Sequence, residues 1–520
     1  MLKKIVMRIL LIKSRCHLFP VILLFILFPH ISQAGAEDTR DGSGILEIQV
    51  LDNTSNVIPA RIYLTDDNGE VFAPENRTVW ESAFISPGSD AVSLPSGNYT
   101  VLVEKGPEWN APSGLITIHP GETTRYDIVM ERLADMNKDG WYGGDLHVHR
   151  PIQEMELIMK AEDLDLVSLQ TWWNDSNAWD SVSPGVLPTN PVQMIHDGRK
   201  TRFLHLMSGE DERSGGAVLY HMLSEPLKIS GSTAEFPPST RWFNEATKLG
   251  AWLEIEKPFW WDTPTWLATG QIKSIGIAQN HIQRMGMLDN EAWGRPRDRS
   301  VFPGPHGNGL YTQELYYRIL NCGFRIPPSA GSASGVLPNP VGYNRVYVYC
   351  GSSFTWDTWW KGLESGKAFV TNGPLMNVSA DNRWPGYEFR FSGNRLFPPS
   401  IVIDGYVESR DPVEKIELVY NGEIKSISMP FNFRPEKSGW FLIRIITKVE
   451  NTFRFASSAP WYVEFMDNPF KPESADVDFF LNWINDRMKS VRNSDLPRSE
   501  MNQALEPHLK SREFWLKLIE

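Results

Sequence analysis

The stretch Gly143-Gly144-Asp145-Leu146-His147-Val148-His149-Arg150-Pro151 decides how this chain is interpreted, because it combines a strand pattern with two closely spaced histidines. Residues two apart on a β-strand point to the same side, so His147 and His149 can bind one cation together. Asp145 shares their side and is expected to be either a third ligand or the carboxylate that fixes an imidazole tautomer. The spacing alone fits a histidine pair without metal equally well.

Around this stretch, between about 141 and 375, helical and strand patterns alternate. The windows 154–162, 239–248 and 312–321 have helical periodicity, whereas 166–169 and 202–207 are apolar strands. Such alternation is typical of an α/β layer or barrel.

Gly-Asp-Leu-His-Val-His at the start of an α/β region resembles the first strand of the polymerase and histidinol phosphatase (PHP) superfamily of metal-dependent phosphoesterases. The chain resembles more closely the exported CehA/McbA-type metallohydrolases, which share an N-terminal β module and a late segment similar to 362–374. The resemblance covers roughly 141–376. It implies a distorted (β/α)7 barrel, here 134–376, with a metal site at the C-terminal ends of its strands.

Several positions where that superfamily usually has metal ligands carry other residues in this chain. Thr171-Trp172-Trp173-Asn174 stands in place of Thr-Asp-His, and Lys257-Pro258 in place of His-Pro. Gly276 occupies the position of a glutamate, and Ala-Gly-Ser-Ala-Ser-Gly at 330–335 lacks the late Asp-x-His. The usual three-metal site cannot form from these residues. We therefore expect a reduced site, with a single divalent ion such as zinc, manganese or iron.

The remaining candidate site residues follow strands or lie in loops. Glu210 matches the bridging glutamate of the superfamily and completes a ligand set with the two histidines. His281 is expected to be a further ligand or an acid/base catalyst, and Lys257 to neutralise an anionic substrate. His306, in a loop rich in proline and glycine, is a candidate for substrate binding. Each has an ordinary alternative, such as a solvated carboxylate, a hydrogen-bonded core histidine or a salt-bridge lysine.

Tryptophan is abundant, with 20 among 520 residues. The pairs Trp172-Trp173 and Trp260-Trp261 fall near predicted strand ends or loops. Aromatic rings in an open site stack on sugars or other flat faces, so these four are candidates for substrate binding. Their alternative role is to fill a wide core.

Two functions of different classes follow from these residues. The first is an exported hydrolase in which metal-activated water cleaves a phosphoester, ester or amide of a small molecule or glycan. The second is a catalytically inactive barrel that binds a glycan or another ligand through a Trp-rich face. A structural envelope protein is a third alternative. No motif of a serine hydrolase, kinase or dehydrogenase is present.

Strand patterns return on both sides of the central region. Alternating strands with turn residues predict an antiparallel β-sandwich over 40–133, similar to transthyretin-like and carboxypeptidase-regulatory modules. A second β domain is predicted over 377–470. Two amphipathic helices over 471–520 are predicted to dock on the body of the protein.

The first 34 residues have the order of a secretory signal: a basic start, an apolar run of about 14 residues and a small-residue cleavage region. We therefore expect a periplasmic or extracellular protein with no membrane span after cleavage; an uncleaved anchor is the alternative. The net charge of −12, without a basic tract, argues against nucleic acid as a partner. Cys322 and Cys350 remain after cleavage, either as one disulfide or as free thiols.

Overall fold

A computed structural model of the chain describes residues 42–180, 187–188, 190–198, 200–229, 231–392 and 399–520, together with the backbone of 31–34. The predicted signal segment lies outside these residues except for its last four positions. Within the described part, no helix is both long and apolar enough to cross a membrane.

The N-terminal part consists of strands in two sheets. These strands are β1 (Ile31–Ala34), β2 (Ser43–Asp52), β3 (Ala60–Asp66), β4 (Val71–Pro74), β5 (Val79–Trp80), β6 (Ala83–Ser86), β7 (Ser89–Pro95), β8 (Gly97–Glu104), β9 (Ser113–Ile118) and β10 (Thr123–Met130). One sheet has the order β1-β4-β3-β6-β5, with β8 on β3 and β9 on β8, and the other has the order β10-β2-β7.

The core of this module lies between the two sheets, as the alternating pattern predicts. In β2, Leu46, Ile48 and Val50 are buried while the residues between them are partly exposed. The predicted sandwich is confirmed, but it is not purely antiparallel. The chain crosses between the sheets after β9, and β10 then pairs with β2 in parallel.

In its described residues, the central part combines strands with five α-helices. Its strands are β11 (Trp141–Val148), β12 (Leu166–Trp173), β13 (Ser176–Asn177), β14 (Val192–His196), β15 (Thr201–Arg213), β16 (Gly216–His221), β17 (Trp252–Ile255), β18 (Ile272–Ala278), β19 (Ile282–Gln283), β20 (Gly286–Met287), β21 (Pro328–Ala330), β22 (Arg345–Tyr349) and β23 (Ala368–Thr371). Its helices are α1 (Met155–Ala161), α2 (Thr240–Lys248), α3 (Thr263–Leu267), α4 (Gly307–Asn321) and α5 (Trp356–Glu364).

The strands of the central part pair in a series that starts at β11 and ends beside β11 again. β11, β12 and β15 are parallel neighbours, and so are β17, β18 and β21. The strand β16 is antiparallel to both β15 and β17 and links the two groups. Beyond β21, the Ala333 N–H donates to the His147 carbonyl and Ser334 bridges Val148, so the chain lies again beside β11.

The predicted alternation of helices and strands is present only in part. Helices α1, α2, α3 and α4 follow β11, β16, β17 and β20, and the predicted helical windows coincide with α1, α2 and α4. Among the described residues, no helix lies between β12 and β15. β15 continues directly into β16 through Ser214 and Gly215, a two-residue hairpin connection that leaves no room for a helix. The molecule as a whole is mostly β-sheet.

The C-terminal part adds nine strands and two long helices. They are β24 (Leu375–Ala380), β25 (Glu388–Phe391), β26 (Ile401–Glu408), β27 (Val413–Tyr420), β28 (Glu423–Ser426), β29 (Phe431–Phe433), β30 (Gly439–Thr447), β31 (Phe455–Ser458), β32 (Trp461–Phe465), α6 (Ser474–Arg492) and α7 (Arg498–Lys517). β31 pairs with β23, so the central sheet continues into this part. The predicted docking of the tail is confirmed, because Trp483 of α6 and Trp515 of α7 are fully buried.

Cys322 and Cys350 are both free thiols, and burial raises the pKa of each above its usual value. Of the two alternatives for this pair, the structure has the free thiols.

Candidate metal centre

Strand β11 brings the two histidines to one place, as their spacing predicts. His147 lies near the end of β11 and is 3% exposed, and His149 follows the strand with 10% of its side chain exposed. The Nε2 atoms of the two rings are 2.9 Å apart. Gly331 packs against this strand so closely that a Cβ atom on it would lie 2.3 Å from Cβ of His147. A ligand side chain at 331 is therefore incompatible with this position of His147.

Glu210 of β15 completes a compact group of three donor atoms. Its Oε2 lies 3.3 Å from Nε2 of His147 and 3.4 Å from Nε2 of His149. A circle through these three atoms has a radius of about 1.9 Å, slightly less than the roughly 2.0–2.2 Å of metal–nitrogen and metal–oxygen bonds. The three donors are thus close enough together for one ion to bind all of them, so the group could hold a metal ion.

The charges around the group favour a cation at this point. Burial opposes protonation of His147, but the carboxylates of Glu210 and Glu256 outweigh it and raise the pKa of this imidazole to about 10. Burial and the charge on His147 lower the pKa of His149. Both imidazoles hold the pKa of Glu210 well below its usual range, although burial alone would raise it.

Glu256 supports the group from the opposite side of His147. Its Oε1 lies 3.5 Å from Nδ1 of His147, so the proton of the neutral ring is favoured on Nδ1 and Nε2 is left free to bind a metal. Asn280 and Trp260 donate side-chain N–H groups to the same carboxylate, at 2.8 and 2.9 Å. These contacts fix the orientation of Glu256.

Asp145 has neither of the two roles expected for it. Its Oδ1 accepts the backbone N–H groups of His147 and Ser332, and its Oδ2 accepts that of Gly342 at 2.7 Å. The carboxylate thus joins β11 to the chain after β21. It lies outside the group of three donors.

Lys257 is close to the group but is already paired. Its ammonium group contacts both oxygens of Glu256 and lies 4.7 Å from the centre of the Trp260 ring. The side chain is 3% exposed. It neutralises a carboxylate of the protein, so it is not free for an anionic substrate.

His281 lies near the Lys257–Glu256 pair in a defined tautomer. Its Nδ1 is 2.8 Å from the carbonyl oxygen of Asn290, which can only accept, so Nδ1 carries the proton and Nε2 has the lone pair. Burial, together with the charge of Lys257, lowers the pKa of His281 to about 3. The ring is therefore neutral at physiological pH.

The four tryptophans named as candidates have different environments. Trp172 and Trp260 are 2% and 1% exposed and cannot offer a ring face to a ligand. Trp261 is half-buried and its carbonyl accepts the indole N–H of Trp483 in α6. Trp173 alone stands beside the metal group, with its ring centre 5.3 Å from that of His149.

His306 contacts a different part of the chain. Its Nε2 donates to the Val449 carbonyl at 2.7 Å, and its ring meets the edge of Phe453. It therefore links α4 to the C-terminal strands and has no contact with the three donors.

Two carboxylates of the centre are missing from the candidates of the sequence analysis. Glu256 directly follows β17, and its position after a short apolar strand is a signal that could have identified it. Glu212 lies two residues beyond Glu210, accepts the indole N–H of Trp173 at 3.1 Å, and has its pKa raised to about 8 by burial and by Glu210.

Comparisons with known proteins do not assign a family. No family model matches the chain, and no curated protein matches it. Three solved structures share short parts with it: the minor pilin GBS52 of Streptococcus agalactiae, at 16% identity over 18% of this chain and 46% of that chain, TM-score 0.16; the TIE protein of Bacillus anthracis, at 19% over 21% and 19%, TM-score 0.14; and the major pilin BcpA of Bacillus cereus, at 20% over 18% and 30%, TM-score 0.15. The chain spans less than half the length of each.

Proposed function

We propose that this protein is an exported metal-dependent hydrolase with a reduced metal site for one divalent ion. The observation that carries the proposal is the triangle of donors formed by His147, His149 and Glu210. The chain after β21 pairs again with β11, which supports a closed, distorted barrel of the (β/α)7 type. The antiparallel strand β16 is the element that departs from the regular barrel. Export rests on the signal-like pattern of residues 1–34.

The donor set fits the metal expected from the sequence. Two imidazole nitrogens and one carboxylate oxygen suit zinc, manganese or iron, and three protein ligands leave positions open. A divalent ion bound there would supply Lewis acidity and lower the pKa of a water molecule. Glu256 orients His147 for this purpose, and its own orientation is fixed by Asn280 and Trp260.

The protein's own groups can handle a proton near this position. His281 is neutral and offers Nε2 as an acceptor, because its Nδ1 proton is bound by the Asn290 carbonyl. Glu212 lies on the same strand as Glu210 and shares its side. Glu212 is the candidate for donating a proton to a substrate, because its pKa is raised to about 8, whereas His281 stays neutral and can accept a hydrogen bond at Nε2.

The charges of the centre favour an uncharged ester or amide over a phosphoester. Glu210 and Glu256 supply negative carboxylates, whereas the ammonium group of Lys257 is paired with Glu256. A phosphoester would therefore find no free cationic side chain among the contacts described for this centre. The rival function, ligand binding through a Trp-rich face, has less support because Trp172 and Trp260 are buried.

Metal analysis of the purified full chain tests the metal site. We expect about one equivalent of a divalent metal in the wild type, and its loss in a His147→Ala/His149→Ala double variant, because two of three ligands are removed. A His119→Ala/His196→Ala double variant is the matched control, since both of these rings are exposed. Equal metal content in all three proteins would refute the site.

Hydrolysis of 4-nitrophenyl acetate, 4-nitroacetanilide and 4-nitrophenyl phosphate tests the reaction. Turnover of the ester or the amide should require metal and disappear in the His147→Ala/His149→Ala variant. A protein that binds metal at these residues but hydrolyses none of the probes would retain the site and contradict the enzymatic proposal.

A further inference from the structure

A second charged cavity lies outside the metal centre, where the three parts of the molecule meet. It has a volume of about 60 Å³ and is lined by the N-terminal sandwich, the central part and the C-terminal strands. Five arginines line it: Arg61, Arg284, Arg345, Arg410 and Arg454. Three carboxylates also line it: Glu104, Glu162 and Asp411. The lining therefore carries two more positive charges than negative ones.

Arg345 is the most deeply buried of these arginines. It is 1% exposed, and its guanidinium donates to the backbone carbonyls of Gly342 and Glu162 at 2.6 and 3.2 Å. Its Nη1 has no hydrogen-bond partner among the described residues, although the nearby Glu162 carboxylate favours its charge. A buried N–H group without an acceptor is costly, so an anion that accepts from Nη1 of Arg345 would stabilise the structure.

Glycines make the space that this guanidinium occupies. A Cβ atom on Gly342 would lie 2.8 Å from Nη2 of Arg345, and one on Gly106 would lie 3.1 Å from the same atom. Both glycines also line the cavity and have positive φ angles, 73° and 61°. The backbone is thus shaped around the buried arginine from two parts of the molecule.

Three of the arginines lie nearer to the surface. The side chains of Arg410, Arg454 and Arg284 are 25%, 19% and 16% exposed, so they form the entrance, with Arg345 and Arg61 deeper. Arg454 and Arg284 pair with Asp411 and Glu104, but Arg410 is 3.7 Å from its nearest carboxylate. Burial lowers the pKa of Arg410, and the nearby guanidinium groups of Arg61 and Arg345 lower it further.

We propose that this cavity binds a small tetrahedral oxyanion, inorganic phosphate or sulfate, which links the three parts of the molecule. Guanidinium groups present forked N–H donors that match the oxygens of such anions. One water molecule needs about 10–15 Å³ of cavity volume measured in this way. The cavity therefore admits an anion with a few oxygens but not a nucleotide.

Thermal unfolding and calorimetry of the full chain test the proposal. The His147→Ala/His149→Ala background is used, so that phosphate cannot bind through the metal centre. At equal ionic strength and pH, the Tm in phosphate or sulfate should exceed that in chloride by about 2 °C at a hundredfold excess over Kd. Isothermal titration with each anion should give one site. Binding of only one of the two supports the proposal and identifies the anion.

Arg410→Gln and Arg345→Lys should each weaken anion binding at least about tenfold, since each removes a forked donor. Arg390→Gln is the control, because this side chain is 70% exposed and lies outside the cavity. If Arg345→Lys does not fold, Arg410→Gln and the calorimetry of the parent protein decide. Equal Tm values in all three salts without a calorimetric signal, or unchanged affinity in Arg410→Gln, would overturn the proposal and leave the metal site untouched.

Discussion

Glu256 influences the metal centre through two neighbours at once. It faces Nδ1 of His147 and holds the buried ammonium group of Lys257. Carboxylates that orient a metal-binding imidazole are worth about 10–100-fold in metal affinity. Removing one partner of a buried ion pair costs about 3–5 kcal/mol, because the other charge remains unpaired. The two effects can be separated by mutation.

Glu256→Gln should lower both metal affinity, by about 10–100-fold, and stability, by about 3–5 kcal/mol. Glu256→Gln/Lys257→Met should recover most of the stability, since no unpaired charge remains, but not the metal affinity. Metal competition with a chelator and urea unfolding measure the two quantities. Recovery of metal affinity in the double variant would show that Glu256 acts only as the partner of Lys257.

A chain of polar groups lies entirely in the core beneath the centre. His205 donates from Nε2 to the Leu223 carbonyl at 3.0 Å and accepts the Ser208 hydroxyl at Nδ1. Ser208 contacts Ser168, which is 2.8 Å from Nδ1 of His221. Burial lowers the pKa of His205 to about 4.

This histidine should make the protein less stable in mild acid. As the pH falls below about 6.5, the unfolded chain binds a proton at this residue while the folded protein does not. Stability is therefore lost between pH 6.5 and about 4. His205→Gln should reduce the change of the urea unfolding midpoint with pH over this range. Leu204→Val, an uncharged substitution on the same strand that also destabilises the protein, should lower the midpoint at every pH. The change of the midpoint with pH should stay as large as in the wild type.

At the scale of elements, the tail helices are joined to the central part by specific contacts as well as by apolar packing. The indole N–H of Trp515 and the hydroxyl of Ser511 both donate to the Pro264 carbonyl at the start of α3, at 2.9 and 3.1 Å. His508 contacts the hydroxyl of Thr265 at 2.7 Å. Helix α7 is thus part of the folded body.

Trp515→Ala should lower stability by about 3–5 kcal/mol, because a fully buried indole and its hydrogen bond are lost together. Leu509→Ala in the same helix is the control, with a side chain that is 47% exposed. Differential scanning calorimetry measures the difference. Similar Tm values for the two variants would mean that α7 does not contribute to the cooperative unit.

Periodicity predicts α1, α2 and α4, because the apolar residues of each helix follow one period. It did not predict the β15–β16 hairpin, which depends on the short connection at Ser214 and Gly215. The three donors were predictable because each has a local signature, two histidines two apart and a carboxylate on a strand. The pairing of Lys257 with Glu256 was not predictable, because it depends on the direction in which each of the two side chains points after β17.

At the scale of the whole molecule, charged contacts join the N-terminal sandwich to the central part. Arg61 pairs with Glu162, and Arg132 pairs with Asp163 at 2.6 Å. The C-terminal strands are joined differently, by the backbone pairing of β31 with β23. These junctions connect the parts predicted as separate domains into a single body, and the arginine-lined cavity lies where they converge.

Gly342 lines the arginine cavity and is connected through Asp145 to the strand that carries the metal-binding histidines. Its N–H donates to Asp145, which also accepts the backbone N–H of His147, and its carbonyl accepts from Arg345. Two ligands that bind around one residue are thermodynamically linked whenever either displaces it. Such linkage is reciprocal, so a metal ion would change oxyanion affinity by the same factor as the oxyanion changes metal affinity.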